Sequence, residues 1–126
     1  KRQGLGCVHS LSHSLGGINP GLHHGTLNAV FLPAVIAFNA PAESLVKDKR
    51  LQRMARVMGL DSADALGAAI RDMNARLDLP SGLATMGVTP AQFDGIIDGA
   101  MADHCHKTSP RIATRDDYRQ MLEQSM

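Results

Sequence analysis

Residues 6–30, GCVHSLSHSLGGINPGLHHGTLNAV, contain four of the six histidines of this 126-residue chain. His9 and His13 are four residues apart, so on a helix their side chains lie on one face about a turn from each other. A glycine- and proline-rich run at 16–21 ends this first helix, and a second, apolar helix begins near His24. The stretch therefore predicts a helix, a turn and a second helix that together direct His9 and His24 towards one point.

The rest of the chain has the apolar spacing of helices. Repeats at i, i+3, i+4 and i+7 predict helices over 47–58 and 62–77. Threonines followed by residues that favour helix starts predict two more helices, from Thr89-Pro90 and from Thr114. No segment alternates with a period of two for long enough to form a strand, and aromatic residues make up only 3% of the chain. The sequence therefore predicts an all-α domain of roughly five to seven helices. Loops are expected at 78–88 and 104–113.

Pro33 lies within the second apolar segment. Proline has no N–H group, and its ring crowds the carbonyl four residues before it. We therefore expect Pro33 inside or between helical segments, with the carbonyl of Ala29 lacking its usual helical partner.

Size and charge exclude several classes of protein. A chain of 13.5 kDa suffices for one domain with a single core, which we assign to residues 1–126. A net charge of +1 offers no basic surface for nucleic acid or an anionic membrane. No apolar run approaches the ~18 residues that a membrane-spanning helix needs. Two cysteines, Cys7 and Cys105, without a signal peptide predict reduced thiols in a cytoplasmic protein.

The histidines by themselves give an incomplete metal site. Imidazole is a common ligand of divalent transition metals, but an H-x-x-x-H pair alone is more often structural or incidental. Between Lys1 and Pro41 there is no Asp or Glu. His104, Cys105 and His106 are poorly spaced to hold one zinc ion. A complete metal site therefore cannot be read from this sequence alone.

Several motifs, taken in order, resemble the iron-containing alcohol dehydrogenases. They are GCVHSLSHSLGG at 6–17, HGTLNAVFLP at 24–33, FN at 38–39, ARVMG at 55–59, SPR at 109–111 and TRDDY at 114–118. They run through nearly the whole chain, and the two linked histidine motifs make the match specific. The resemblance implies the C-terminal helical bundle of a two-domain, dehydroquinate synthase-like enzyme, whose N-terminal α/β nucleotide-binding domain is expected outside this chain.

The same resemblance implies a metal site in the cleft between the two domains. His9 and His24 would be two of its four ligands, and an Asp and a His are expected upstream of this chain. His23 is the alternative to His24, because many relatives have Pro-His-Gly where this chain has His23-His24-Gly25. Keeping the glycine in register favours His24.

Two further residues are implied to line the nicotinamide and substrate pocket. His13 would contact the cofactor and substrate, either as part of the relay for the alcohol proton or only as pocket wall. Cys105 would belong to a pocket-lining loop and is therefore a second cofactor-binding residue. Ser109 stands where relatives often have Asn, so that residue's contacts are expected to differ here.

The implied function is hydride transfer between a small alcohol or aldehyde and NAD or NADP, with Fe²⁺ or Zn²⁺ as a Lewis acid. Reduction of a keto acid is the alternative, as in the maleylacetate reductases, which look to have Pro-His-Ala where Gly25 follows His24 here. The second alternative is a non-catalytic helical module that binds metal or a partner, because residues 1–126 without a nucleotide domain are expected to be inactive. A homodimer is compatible with the resemblance.

Overall fold

The computed structural model describes residues 5–126, and this part of the chain contains seven α-helices and no β-strand. None of the helices in the described part is long and apolar enough to cross a membrane. The prediction of an all-α fold is confirmed. The helices are α1 (Gly6–Ile18), α2 (His24–Asn39), α3 (Glu43–Lys47), α4 (Arg50–Val57), α5 (Leu66–Arg76), α6 (Phe93–Ala102) and α7 (Arg115–Gln124).

Helix α1 packs against both α2 and α6. Its Leu11 and Leu15 are fully buried, and they share one core with Leu27 and Phe31 of α2 and Ile96 of α6. Helix α5 packs against α2, and α7 packs against α2 and α6. The core therefore fixes the relative positions of α1, α2 and α6, which carry the histidines and the loop described below.

Helices α1 and α6 approach closely where Ser14 faces Gly99. The Ser14 hydroxyl donates a hydrogen bond to the carbonyl of Ile96 at 2.7 Å. A Cβ atom at Gly99 would overlap the Ser14 side chain, so the contact requires glycine for steric reasons. This approach brings the segment after α6, which begins at Asp103, alongside α1.

Pro33 lies inside α2, as predicted. The carbonyl of Ala29 finds no N–H at position 33, and it accepts a hydrogen bond from Nδ2 of Asn74 on α5 at 2.9 Å. Asn74 is buried. The contact therefore satisfies a carbonyl that the proline leaves free, and it links α5 to α2.

Both helix starts predicted from threonines are confirmed. The Thr89 N–H donates to Oε1 of Gln92 at 2.9 Å, in a 3-10 turn that continues into α6. At the start of α7 the Thr114 N–H donates to the Asp117 carboxylate at 2.8 Å, and the Asp117 N–H donates to the Thr114 hydroxyl at 3.2 Å. This reciprocal pair is a capping box.

The helix predicted over 47–58 is wrong in its first part. Helix α3 ends at Lys47 and α4 begins at Arg50, and between them Lys49 has a left-handed backbone with φ of 48°. Charged residues fill 47–50 and the apolar repeat begins only at Leu51, so no buried side chain holds a helix across this segment.

The predicted apolar stripes are buried only in part. Ala55 of α4 and Leu66 and Ile70 of α5 are buried, whereas Met54 and Met58 are 38% and 40% exposed. The helix predicted over 62–77 starts as a 3-10 turn at Ala63–Ala65 before α5. The predicted loops at 78–88 and 104–113 contain the 3-10 turns Ala84–Met86 and His104–Thr108.

Candidate functional site

Three imidazole rings converge where α1 meets the start of α2. The ring centroids of His9 and His24 are 5.3 Å apart, those of His13 and His24 5.2 Å, and those of His9 and His13 5.7 Å. His9 and His13 lie on successive turns of α1, and His24 is the first residue of α2. The helix–turn–helix predicted from the sequence thus brings its three predicted site histidines together.

The His9 ring is held without a full set of hydrogen bonds. Its Nδ1 atom is buried and has no hydrogen-bond partner among the described residues. Burial lowers the pKa of His9, and the neighbouring His24 and His13 rings lower it further. These effects favour the neutral ring, which is the form of imidazole that binds a metal ion.

The His24 ring is oriented by a residue that the sequence analysis did not identify. Nδ2 of Asn28 lies 3.1 Å from Nε2 of His24, and the Ser12 hydroxyl of α1 donates to Oδ1 of Asn28 at 2.6 Å. Asn28 therefore links the His24 ring, at the start of α2, to Ser12 of α1. Its position four residues after His24 on a helix is the spacing that could have indicated this contact.

His23 occupies a different position from His24. Both residues are exposed, but His23 precedes α2 and none of the ring contacts within residues 5–126 involves it. A Cβ atom at Gly25 would lie 3.2 Å from Cε1 of His23, so the His23 ring sits over this glycine. The geometry groups His24, and not His23, with His9 and His13.

Asp103, which follows α6, pairs with His13. Oδ2 of Asp103 lies 3.0 Å from Nδ1 of His13, and Oδ1 accepts a hydrogen bond from the Cys105 N–H at 2.7 Å. Burial opposes ionisation of this carboxyl, but the hydrogen bonds from Cys105 and His13 prevail and lower the pKa of Asp103. No local sequence pattern indicates Asp103 as a partner of His13, since it lies 90 residues away in the chain.

Cys105 and His104 complete this side of the site. Sγ of Cys105 is buried and lies 3.4 Å from Nε2 of His104. Burial raises the pKa of Cys105, and the Asp103 carboxylate raises it further, so the side chain is a neutral thiol. The His104 ring stacks on the His13 ring with centroids 6.0 Å apart. The structure thus places Cys105 beside His13, where the sequence analysis predicted a pocket wall.

His106 does not join this group. Its Nδ1 lies 3.0 Å from the hydroxyl of Tyr118, and both residues are buried. His106 therefore directs its Nδ1 away from His104 and Cys105, whose side-chain atoms contact each other.

Ser109 belongs to a structural contact. The Cys7 thiol donates to the Ser109 hydroxyl at 3.2 Å, and that hydroxyl donates to Oδ1 of Asn39 at 3.4 Å. The serine therefore joins the start of α1 to the end of α2. Cys7 and Cys105 are both unbridged.

The donor atoms fit part of a transition-metal site. Imidazole nitrogens such as those of His9 and His24 suit both Fe²⁺ and Zn²⁺. Within residues 5–126, one group of three His, Cys, Asp or Glu residues has its possible ligand atoms within 4.8 Å of one another. It consists of His13, Asp103 and Cys105. His9 and His24 therefore gain no carboxylate ligand from the part of the chain that the structure describes.

Comparison with known proteins identifies close sequence relatives. Residues 1–126 match the family described as "Fe-containing alcohol dehydrogenase family, C-terminal". The chain is 56% identical over 129 residues to 4-hydroxybutyrate dehydrogenase from Cupriavidus necator, with 99% of this chain and 34% of that protein covered. It is 33% identical over 131 residues to NAD-dependent methanol dehydrogenase from Bacillus methanolicus, with 98% and 33% covered. The chain spans about a third of the length of these curated relatives.

Solved structures share the same helical fold. A 1,3-propanediol oxidoreductase matches with a TM-score of 0.86 at 28% identity, over 97% of this chain and 33% of that one. Maleylacetate reductase from Rhizobium sp. strain MTP-10005 matches with a TM-score of 0.74 at 31% identity, over 97% and 32%. These matches agree with the sequence motifs and with the all-helical architecture. The chain belongs to the iron-containing alcohol dehydrogenase family and corresponds to the C-terminal, helical part of its members.

Proposed function

We propose that residues 1–126 form the metal-binding helical domain of an NAD(P)-linked alcohol dehydrogenase, with His9 and His24 as two of the metal ligands. The observation that carries this proposal is the convergence of the His9, His13 and His24 rings. Nδ1 of His9 is in addition buried without a hydrogen-bond partner among the described residues, and a bound ion is one of the explanations for such an atom. The other two ligands and the nucleotide-binding domain are assigned to a part of the enzyme outside this sequence.

The proposed reaction is the interconversion of a small alcohol and its aldehyde. When bound, a divalent metal would supply Lewis acidity and a nicotinamide would accept or donate the hydride. His9 and His24 would hold the metal. His13 would contact the substrate and the nicotinamide, and Cys105 would form the pocket wall beside it.

The names of the relatives give an order in which to assay substrates and cofactors. The 56% identical relative is named for 4-hydroxybutyrate, which makes this ω-hydroxy acid the first substrate to assay, followed by methanol and 1,3-propanediol. Fe²⁺ or Zn²⁺ and NAD or NADP are the cofactors to compare in that assay. Maleylacetate reduction belongs in the same assay as the alternative, and a preference for maleylacetate over every alcohol would replace the proposed reaction.

The metal ligands are tested by elemental analysis of the intact protein. His24→Ala is expected to remove most of the bound metal, because it removes a ligand. His23→Ala is the matched control: it is the same substitution one residue earlier, and it is expected to retain the metal. The opposite pattern would make His23 the ligand, and full metal content in both His24→Ala and His9→Ala would overturn the proposed site.

The role of His13 is tested by steady-state kinetics of His13→Gln. If His13 holds or transfers the alcohol proton, kcat is expected to fall while the metal content stays unchanged. If it only shapes the pocket, the substitution is expected mainly to raise KM. Loss of metal from this variant would contradict both roles and make His13 a ligand.

A further inference from the structure

We infer that Asp103 is a positioning residue for His13, because its carboxylate holds the His13 ring in the tautomer that carries hydrogen on Nδ1. The inference rests on the proposed function, since it gives a role in alcohol oxidation to a residue that contacts His13. It concerns an atom pair within this chain, and the pair does not require the nucleotide-binding domain.

The carboxylate of Asp103 is itself fixed at both oxygens. Oδ1 accepts from the Cys105 N–H at 2.7 Å, and Oδ2 faces Nδ1 of His13 at 3.0 Å. The Asp103 side chain is only 14% exposed, so water competes little for either oxygen. The backbone of the turn after α6 therefore holds the carboxylate in place before His13 contacts it.

Hydrogen-bond chemistry then determines the His13 tautomer. An ionised carboxylate can only accept hydrogen bonds, so Nδ1 of His13 must be the nitrogen that carries the hydrogen. In the neutral ring this leaves the lone pair on Nε2. Nε2 is thereby the nitrogen that can accept a hydrogen bond from the hydroxyl group of an alcohol.

The remaining contacts of the His13 ring do not determine which ring nitrogen carries the hydrogen. The ring stacks on His24 with an interplanar angle of 17° and on His104 with an angle of 23°. Stacking restrains the plane of the ring, but it does not distinguish the two nitrogens. Within residues 5–126, Asp103 is the hydrogen-bond partner that the ring has.

Asp103→Asn separates the two contacts of this side chain, the hydrogen bond from the Cys105 N–H and the hydrogen bond with Nδ1 of His13. The amide oxygen of Asn can still accept from the Cys105 N–H, so the turn after α6 is expected to keep its cap. The amide nitrogen would then face Nδ1 of His13 as a donor, which requires the lone pair on Nδ1 and moves the hydrogen to Nε2. The variant is therefore expected to fold normally and to invert the His13 tautomer.

The tautomer is measured by nitrogen-15 NMR of the histidine rings in the intact protein. The wild type is expected to show hydrogen on Nδ1 of His13, and Asp103→Asn is expected to show it on Nε2. The matched control is Asp98→Asn, which removes one carboxylate of α6 that pairs with Arg115 and has no contact with His13. A wild-type His13 with hydrogen on Nε2, or an unchanged tautomer in Asp103→Asn, would overturn the inference.

Kinetics then test whether this tautomer matters for the reaction. Asp103→Asn is expected to lower kcat for alcohol oxidation about 10- to 100-fold, with unchanged metal content and a much smaller change in KM. Because Asp103 acts through His13, the same substitution in a His13→Gln background is expected to have little further effect. An equal loss of kcat in both backgrounds would overturn the positioning role. A wild type without alcohol oxidation would refute the proposed function, and the NMR result would still decide the Asp103–His13 contact.

Discussion

Two polar atoms on neighbouring helices differ in whether a side chain pairs with them. The Ala29 carbonyl of α2 loses its helical donor to Pro33 and gains a hydrogen bond from Asn74. Nδ1 of His9 on α1 is buried, yet no described residue pairs with it. The first atom is part of a closed structural contact, and the second is left open on one of the three imidazoles that converge. The difference separates residues that stabilise the bundle from residues that we assign to binding.

The largest effect on the free energy of unfolding is expected at the hydrogen bond between Asn74 and the Ala29 carbonyl. Asn74→Ala is expected to lower the free energy of unfolding by about 1–3 kcal/mol, because it removes the buried side chain that pairs with the Ala29 carbonyl. Urea denaturation of the protein measures this loss.

A second substitution isolates the cause of that loss. Pro33→Ala restores an N–H at position 33, which can donate to the Ala29 carbonyl as in a regular helix. Asn74→Ala is therefore expected to cost less in the Pro33→Ala background than in the wild type. The same cost in both backgrounds would mean that Asn74 stabilises α2 in some other way.

A smaller effect is expected at the buried pair His106 and Tyr118. Tyr118→Phe removes the hydroxyl that contacts Nδ1 of His106, and it should lower the free energy of unfolding at neutral pH by about 0.5–1.5 kcal/mol. Urea denaturation at neutral pH measures it, and an unchanged stability would show that the His106 contact contributes nothing.

The same variant gives a pH dependence whose sign follows from burial. Burial raises the pKa of Tyr118 in the folded protein, and the nearby Cys7 raises it further. The neutral phenol therefore contributes its full stabilisation below about pH 10, because this is the pKa of tyrosine in the unfolded chain. This stabilisation is lost as the pH rises above that pKa. The stability difference between the wild type and Tyr118→Phe should narrow above about pH 10. A difference that is constant with pH would contradict this assignment.

The smallest effect on the free energy of unfolding is expected at His9, whose Nδ1 atom has no partner among the described residues. His9→Leu is expected to change the metal-free free energy of unfolding by less than about 0.5 kcal/mol, or to raise it, since it removes an unpaired buried nitrogen. Asn74→Leu makes a similar polar-to-apolar change at the closed contact, and it should cost clearly more. Added Zn²⁺ should then stabilise the wild type against urea and leave His9→Leu unaffected. A large loss for metal-free His9→Leu would make His9 a structural residue and remove the contrast.

Local sequence patterns were sufficient to predict part of the site. The four-residue spacing of His9 and His13, with the break at 16–21, indicated that these side chains and His24 converge, and the rings do. The motifs also indicated the family, which the whole-chain match confirms. The histidine cluster lies within one helix–turn–helix segment, where residue spacing and the position of the turn largely determine geometry.

Contacts across the bundle could not be predicted in the same way. Proline chemistry predicted that the Ala29 carbonyl would lack a helical partner, but not that Asn74 would take that place from 45 residues away. Asp103 meets His13 only because α1 and α6 pack together, and no local pattern encodes that approach. The helix predicted over 47–58 is interrupted at 48–49, because the charged segment there has no buried side chain to hold it in a helix.

The contact between Ser14 and Gly99 also sets a dimension of the site. Because a Cβ atom at position 99 would overlap Ser14, the distance between α1 and α6 depends on a single hydrogen atom in place of a side chain. The distance from the Asp103 carboxylate to the His13 ring also depends on how α1 and α6 pack, although neither Ser14 nor Gly99 belongs to the site. An engineer who wishes to change the spacing of His13 and Asp103 can therefore alter this small-residue pair and leave every proposed ligand unchanged.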